Sequence, residues 1–487
     1  MKGVDWYLNT VVKGGDEMSA LLEERFAPTL RNSLYAEVIH EGMNGTKIIL
    51  PPHGKLAVVH SCGGDHTKTD AREYAHSVVD RLVRAAEEIG AEPIAFANVI
   101  DASTSDKDAV LPYADALAER ANHYKLVVPN GEFAVLGNRV TVSANISATM
   151  LSFVSREANL PWDSVTGFFK KNDVLYAVFD PEGKALYMNS DGNGTKPEFA
   201  ERNGEYYDSR YDSLAMKLDD LIKLGASAHV VSDVVETNRE LERVPAALYG
   251  AYINDESRFI HILQPEFVGN RIRSYKEGIF AFNMSGSAVS TIDEQRLQNP
   301  LKPRAGEYLI AIRGKPNPRS NGITDKRAIM QELFGLEWHT TPEGRMFMPF
   351  LSAPSTVFYG AFSKLINNGL ASSIYHMSGG AFKGKLAKPL ANHGLYAEIH
   401  GLFPADWREL ALAGARLTPA EIAYAKWPMG NEGFAATSRP DDAIALLREH
   451  GLQGRIVGQL QALNGMTGIR LMGIKSSSNE PVYYSGR

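Results

Sequence analysis

The sequence predicts an α/β protein of the α+β type, built from two tandem copies of one domain and a third domain of another pattern. Three observations carry this reading. The chain has 487 residues, more than one hydrophobic core can use. A set of short motifs recurs in the same order in two successive stretches. After about residue 293 the pattern of strands, loops and helices changes and does not recur. The domain boundaries that follow are 1–165, 166–298 and 299–487.

The elements fall in order. Asp16–Glu24 is helical, and Leu34–Ile39 and Lys47–Leu50 are strand-like. Lys55–His60 is a short buried strand that runs into the glycine-containing loop Ser61–Lys68. From Ala71 to Ile89 apolar residues at Val78, Leu82, Ala85 and Ile89 keep a three-to-four spacing, so a helix is expected, ended by Gly90. Pro93–Ile100 is a strand, 109–122 a helix, Lys125–Val128 a strand, Pro129–Arg139 a loop and Val140–Met150 a strand. The second series has strands at Val174–Phe179 and Ala185–Met188, the loop Asp191–Lys196, and a helix from about Tyr211 to Leu224. It continues with a strand at Ala228–Val235, a helix near Arg243–Ala251, a strand at Arg258–Leu263, the loop Gln264–Arg271 and a strand at Gly278–Val289.

Matching motifs tie the two series together. Asp65-His-Thr-Lys68 answers Gly192-Asn-Gly-Thr-Lys196, Ile89-Gly-Ala-Glu-Pro93 answers Leu224-Gly-Ala-Ser-Ala228, and Glu132-Phe-Ala-Val-Leu-Gly-Asn-Arg139 answers Glu266-Phe-Val-Gly-Asn-Arg271. The separations from Gly90 to Glu132 and from Gly225 to Glu266 differ by a single residue. Beyond the prolines of Pro300–Pro303 the third domain begins. It has strands at Glu307–Ile312, Leu395–His400 and, last, Gly454–Leu460, and helices at 326–333, 404–413, 419–425 and 441–450.

Composition bounds the function. Apolar residues make up 44% and charged residues 22%, the balance of an ordinary globular protein. A net charge of −6 argues against a nucleic-acid partner held through phosphates. Cys62 is the only cysteine, so no internal disulfide is available and a reducing, cytoplasmic setting is expected. Met1–Tyr7 holds no apolar signal core, and no run of about 18 apolar residues could span a bilayer, so no membrane partner is expected.

With these motifs in view, the chain resembles the aminoimidazole ribonucleotide synthetase (phosphoribosylformylglycinamidine cyclo-ligase) superfamily, with a duplicated N-terminal-type domain. The resemblance rests on Ser190–Lys196, on Leu218-Asp-Asp-Leu-Ile-Lys-Leu-Gly225, on Ser320-Asn-Gly322 and on His376-Met-Ser-Gly-Gly380. Leu351–Ser355 and Pro428–Gly430 add to it. It implies two tandem N-terminal-type domains forming an intrachain pseudo-dimeric β-barrel, plus one C-terminal α/β domain. A monomer is consistent with such closure.

The resemblance also implies ATP and magnesium as cofactors and a ribonucleotide-like small-molecule substrate. In that family ATP activates a formyl amide oxygen as a phosphate ester, and an amidine nitrogen closes the imidazole ring. Glycines let backbone N–H groups crowd toward an anion, and carboxylates suit magnesium. Lys196 and Asp191 are therefore the expected catalytic residues, and Asp191, Asp219 and Asp220 the expected metal ligands. Gly192, Asn193, Gly194, Thr195, Lys196, Asp233, Glu266, Ser320, Asn321, Gly322, Ser378, Gly379 and Gly380 are expected around the nucleotide. The first copy has Arg84 and Ala85 where the second has Asp219 and Asp220, and is expected to be structural. Taken alone, the same loops read as plain turns, Asp219-Asp220 as a solvated helix face, His376 as a structural histidine and Cys62 as a buried cysteine. Glu432 stands where the family prefers a small residue. Two alternatives therefore stand beside the cyclo-ligase: a diverged phosphoryl-transfer enzyme of the same superfamily, and a non-catalytic nucleotide-binding protein.

Overall fold

The computed structural model describes residues 13–33, 35–39, 46–240, 245–254, 258–320, 322–463 and 465–486. Its chain divides into two compact units. The first takes residues up to Lys217 together with Ala226–Asn299, and the second takes Leu218–Gly225 and everything from Pro300.

Thirteen strands of the first unit form two mixed sheets. The first sheet contains β3 (Lys55–Gly63), β4 (Glu92–Ala102), β5 (Gly131–Val135), β6 (Ala144–Ser155), β7 (Phe168–Lys171) and β8 (Val174–Phe179), in the order β5-β4-β6-β3-β8-β7. The second contains β1 (Ala36–Ile39), β2 (Thr46–Ile49), β9 (Ala185–Gly192), β10 (Ser227–Thr237), β11 (Gly250–Asn254), β12 (Phe259–Phe267) and β13 (Phe282–Ile292), in the order β1-β2-β9-β13-β10-β12-β11. Each copy contributes the same motif: a long antiparallel pair (β4·β6, β10·β13) with a parallel neighbour (β5, β12). The copies exchange strands. β7 and β8 follow the boundary expected at 166, yet lie on the first sheet, whereas β1 and β2 lie on the second.

The two sheets pack face to face. Val59, Leu151 and Ala177 meet Met188, Val230, Ile262 and Val289 in one buried cluster. Serine hydroxyls cross the same space: Ser61 to Ser232 at 2.8 Å and Ser147 to Ser285 at 2.7 Å. Among the described residues this is an open arrangement of two sheets, not the closed barrel expected. The faces meet through side chains, while β5, β7, β1 and β11 stand at the sheet ends without continuing the ladder from one sheet to the other. A reciprocal backbone link joins the Gly-Asn-Arg turns of the two copies: Thr141 N donates to Arg271 O at 3.0 Å and Arg273 N to Arg139 O at 2.9 Å. Such i-to-j and j-to-i pairing is the signature of two-fold symmetry.

Helices cover the outer faces. α1 is Lys13–Phe26, α2 Ala71–Glu88 and α3 Lys107–Tyr124. Asp70 caps α2 by accepting from Arg72 N and Glu73 N, and Val78, Leu82, Val110 and Leu117 bury against Phe96, Ile100 and Met150. In the second copy α4 (Pro197–Asn203) and α5 (Ser209–Leu221) follow β9. The helix expected near 243–251 is absent where the chain is described: Ala246–Leu248 is a single 3-10 turn after Pro245, and β11 starts at Gly250. Residues 241–244 lie outside the described residues. The expected loop 129–139 contains β5, because Gly131–Val135 pairs with β4 from Asn98 to Ala102.

The second unit contains a four-stranded sheet, ordered β15 (Ser373–His376), β17 (Gly433–Thr437), β14 (Tyr308–Arg313), β18 (Gln453–Gln459), and a three-stranded sheet of β16 (Tyr396–Ile399), β19 (Gly468–Lys475) and β20 (Pro481–Tyr484). β18 was expected to be the last strand. β19 and β20 follow it, and β19 pairs in parallel with β16.

Candidate functional site

β9 carries Asp191 and Gly192 at its end and passes through Asn193-Gly194-Thr195 into Lys196 and α4. Gly194 has φ +58°, a conformation that costs glycine nothing. Asp191 Oδ1 accepts from Gly192 N at 2.7 Å. Asn193 ties the loop down on both sides: its N donates to Met284 O at 2.9 Å and its Nδ2 to Ser209 O at 2.8 Å. Lys196 is buried, and its Nζ lies 3.2 Å from Asp212 of α5.

Register places Asp191 and Asp233 on one face, each opposite Gly286 of β13. A Cβ at Gly286 would stand 2.1 Å from Ser232 O and 3.0 Å from Asp233 Oδ1, so only glycine fits between them. Asp233 is wholly buried with Lys217 Nζ at 2.7 Å, His261 Nε2 at 2.9 Å and a hydrogen bond from Ser213 Oγ at 2.5 Å. Burial alone would raise its pKa, but Lys217 and His261 prevail and hold the carboxyl well below the usual range.

Between the sheets lies a second group that sequence reasoning missed. Asn283 Nδ2 donates to Asp101 Oδ2 at 2.6 Å and to Glu236 Oε2 at 3.3 Å. Asp101 Oδ1 and Glu236 Oε1 are buried with no hydrogen-bond partner. Burial first, with a contribution from Asp191's charge, pushes Asp101 up to about 6. Burial and the charge of Asp101 push Glu236 up to about 8. The signal was present in the repeat, because Asp101 and Glu236 hold the same offset from Gly90 and Gly225.

Glu266 does not join Asp191. It lies beside the first-copy loop, with Arg81 Nη2 at 2.7 Å and its Cγ 3.8 Å from the Cβ position of Gly63. The first copy's loop instead meets β9: Asn130 Oδ1 accepts from Ser190 N at 2.9 Å. Asn130 and Glu132 line a cavity of about 330 Å³ with Lys47 and Asn98, whose buried Nδ2 has no partner. The two copies thus trade loops. In the first-copy loop Asp65 Oδ1 accepts from Thr67 N and Oγ1, and Lys68 Nζ lies 4.0 Å from the exposed Glu73. Burial raises the Cys62 thiol to about 12, so it stays protonated.

Within the second unit, Asp219 is buried against Arg319 Nη2 at 2.8 Å and accepts from Phe358 N at 2.9 Å. Burial pushes its carboxyl up to about 6 against the pull of Arg319. Asp220 pairs with Lys223 and with His376 Nε2 at 2.7 Å. Burial lowers His376 to about 4, and the Asp220 carboxyl is held well below the usual value by Lys223 and His376 against burial. Ser320 Oγ is buried without a partner, and Gly322, at φ +63°, begins the helix Ile323–Phe334. Asn321 lies outside the described residues. Ser378 is buried, while Gly379 and Gly380 are exposed before the π-helical turn Phe382–Ala387. No group of three or more His, Cys, Asp or Glu among the described residues is placed to hold a metal ion.

A family model described as AIR synthase related protein, N-terminal domain, matches residues 172–255. A phosphoribosylformylglycinamidine cyclo-ligase of Thermococcus kodakarensis is 26% identical over 283 residues, covering 56% of this chain and 80% of that protein. The Brevibacillus brevis protein of the same name is 22% identical over 289 residues, covering 58% and 82%. The solved structure of Thermotoga maritima PurL complexed with FGAR is 12% identical with a TM-score of 0.37, and spans 66% of this chain and 47% of that one. By the family match over residues 172–255 and the named relatives, the chain is similar to proteins of the AIR synthase related superfamily.

Proposed function

We propose that the chain is an ATP-dependent enzyme of this superfamily and that it closes the imidazole ring of aminoimidazole ribonucleotide from formylglycinamidine ribonucleotide. The observation that carries the reading is the meeting of β9, at Ser190 just before the Asp191–Lys196 loop, with Asn130 of the other copy, beside a strand that has glycine where a side chain would stand. Asn130 fixes the end of β9 through Ser190 N. Asn98 and Glu132 supply polar groups to the adjoining cavity, and Gly194, at φ +58° with open space beside it, leaves room for a phosphate to approach the loop backbone.

Among the described carboxylates, Asp191 and Asp101 fit a hard cation best. Asp101 Oδ1 is buried and unpartnered, and the two charges already repel. Magnesium, when bound, neutralises phosphate charge, and it needs only one or two carboxylates beside phosphate oxygens and water. Asp219 and Asp220 are engaged by Arg319, Lys223 and His376, and serve in this reading to hold the second unit's own fold. Lys196 gives its charge to Asp212, and acts on phosphate only if that pair opens.

The engaged acids favour one alternative, a diverged phosphoryl-transfer enzyme of the same superfamily acting on another small molecule. An assay with formylglycinamidine ribonucleotide, ATP and magnesium separates the two. The proposal expects ADP to form in step with aminoimidazole ribonucleotide. ADP formed only with a different acceptor leaves the alternative.

A further inference from the structure

Arg210 stands in the first turn of α5 and is 8% exposed. Its guanidinium carbon lies 3.4 Å from the ring centre of Tyr207, 4.7 Å from that of Tyr252 and 5.5 Å from that of Tyr211. Among the described residues no carboxylate pairs with it and no oxygen accepts from it; its contacts are with π faces alone. This placement is unfavourable twice over. A cation in the first turn faces the positive end of the helix dipole. A guanidinium also carries five N–H donors, and these meet no protein acceptor among the described residues. The ring faces attract the charge, but offer no hydrogen-bond geometry.

The same guanidinium lines a cavity of about 230 Å³ with Tyr207, Tyr211, Leu214, Tyr252 and His261. Aromatic and aliphatic walls surround a cation that has no carboxylate partner among the described residues. We propose that this cavity binds a small oxyanion, carboxylate or phosphate, carried on a flat apolar body. The anion takes the guanidinium fork in paired N–H···O bonds, and the body lies against the tyrosine rings. The helix N-terminus then favours the bound charge instead of opposing the arginine. Tyr207, Tyr211 and Ile253 remain exposed at the mouth, which accounts for large apolar groups at this surface. The site is distinct from the nucleotide loop and does not depend on the reading of the reaction.

The test is ligand-observed saturation-transfer NMR on the full chain with benzoate, phenyl phosphate, inorganic phosphate and benzylammonium. Benzoate and phenyl phosphate are expected to bind and benzylammonium not to. The better of the two anions tells which source, a carboxylate or a phosphate, the site is built for. Arg210→Gln is expected to weaken both by about tenfold or more, the loss of charge-assisted hydrogen bonds. Tyr207→Ala, at a half-exposed position that leaves folding intact, is expected to weaken the ring-bearing probes several-fold and leave inorganic phosphate unchanged. Binding of benzylammonium as well as benzoate overturns the proposal. So do unchanged affinities in Tyr207→Ala and a folded Arg210→Gln, and the absence of anion binding at millimolar concentration.

Discussion

Asp233 has three partners drawn from two elements, Ser213 and Lys217 one turn apart on α5 and His261 on β12. Removing one charge of a buried pair leaves the other uncompensated, so Lys217→Met is expected to cost about 3–5 kcal/mol in denaturant unfolding. Glu236 is the opposite case, an acid that burial keeps protonated. Its folded pKa of about 8 lies above the ordinary value of 4.5. The folded chain therefore holds a proton that the unfolded chain releases, and stability falls as pH rises from about 4.5 to about 8. Glu236→Gln removes that dependence. The variant should exceed the parent in stability at pH 8 by on the order of 1–3 kcal/mol, and the gap should close toward pH 4.5. A gap that stays constant with pH would show that Glu236 is ionised in the folded chain.

At the scale of elements, three strands set the candidate site: β9 and β10 hold Asp191 and Asp233, and β13 lies between them with Gly286. Gly286→Ala would drive a methyl against Ser232 O, a backbone atom of the neighbouring strand. It should cost about 1–3 kcal/mol or more in thermal or denaturant unfolding, as overpacking does. Much of this was legible in the sequence. The spacing of Val78, Leu82 and Ala85 marked α2, and the run Ala228–Val235 marked β10. Gly286 was not, because a glycine's close approach depends on which strands pair. Neither was β5, whose five residues gain their strand character from the parallel ladder to Asn98–Ala102. The partners of Asp219 and Asp220 were hidden for the same reason: Arg319 and His376 are about a hundred or more positions away along the chain.

At the scale of the whole molecule, duplication was legible because the motifs recur in order. Its consequence was not. A local reading pairs Glu266 with Asp191, since both lie in the second copy. The structure pairs each copy's loop with the other copy's glutamate segment, Asn130 with Ser190 and Glu266 with Gly63. The reciprocal links at Arg139 and Arg271 follow the same exchange. One loop keeps the aspartate at the strand end, while the other has Cys62 and Gly63 there and spends Asp65 on its own turn. In the proposed function the fold therefore has two related positions and one nucleotide site. Isothermal titration of ADP with magnesium into the parent, Asp191→Asn and Asp65→Asn tests it directly. The expected result is one nucleotide per chain, at least tenfold weaker binding in Asp191→Asn and unchanged binding in Asp65→Asn. Two equivalent sites per chain, or loss of binding in Asp65→Asn with Asp191→Asn unaffected, would contradict it.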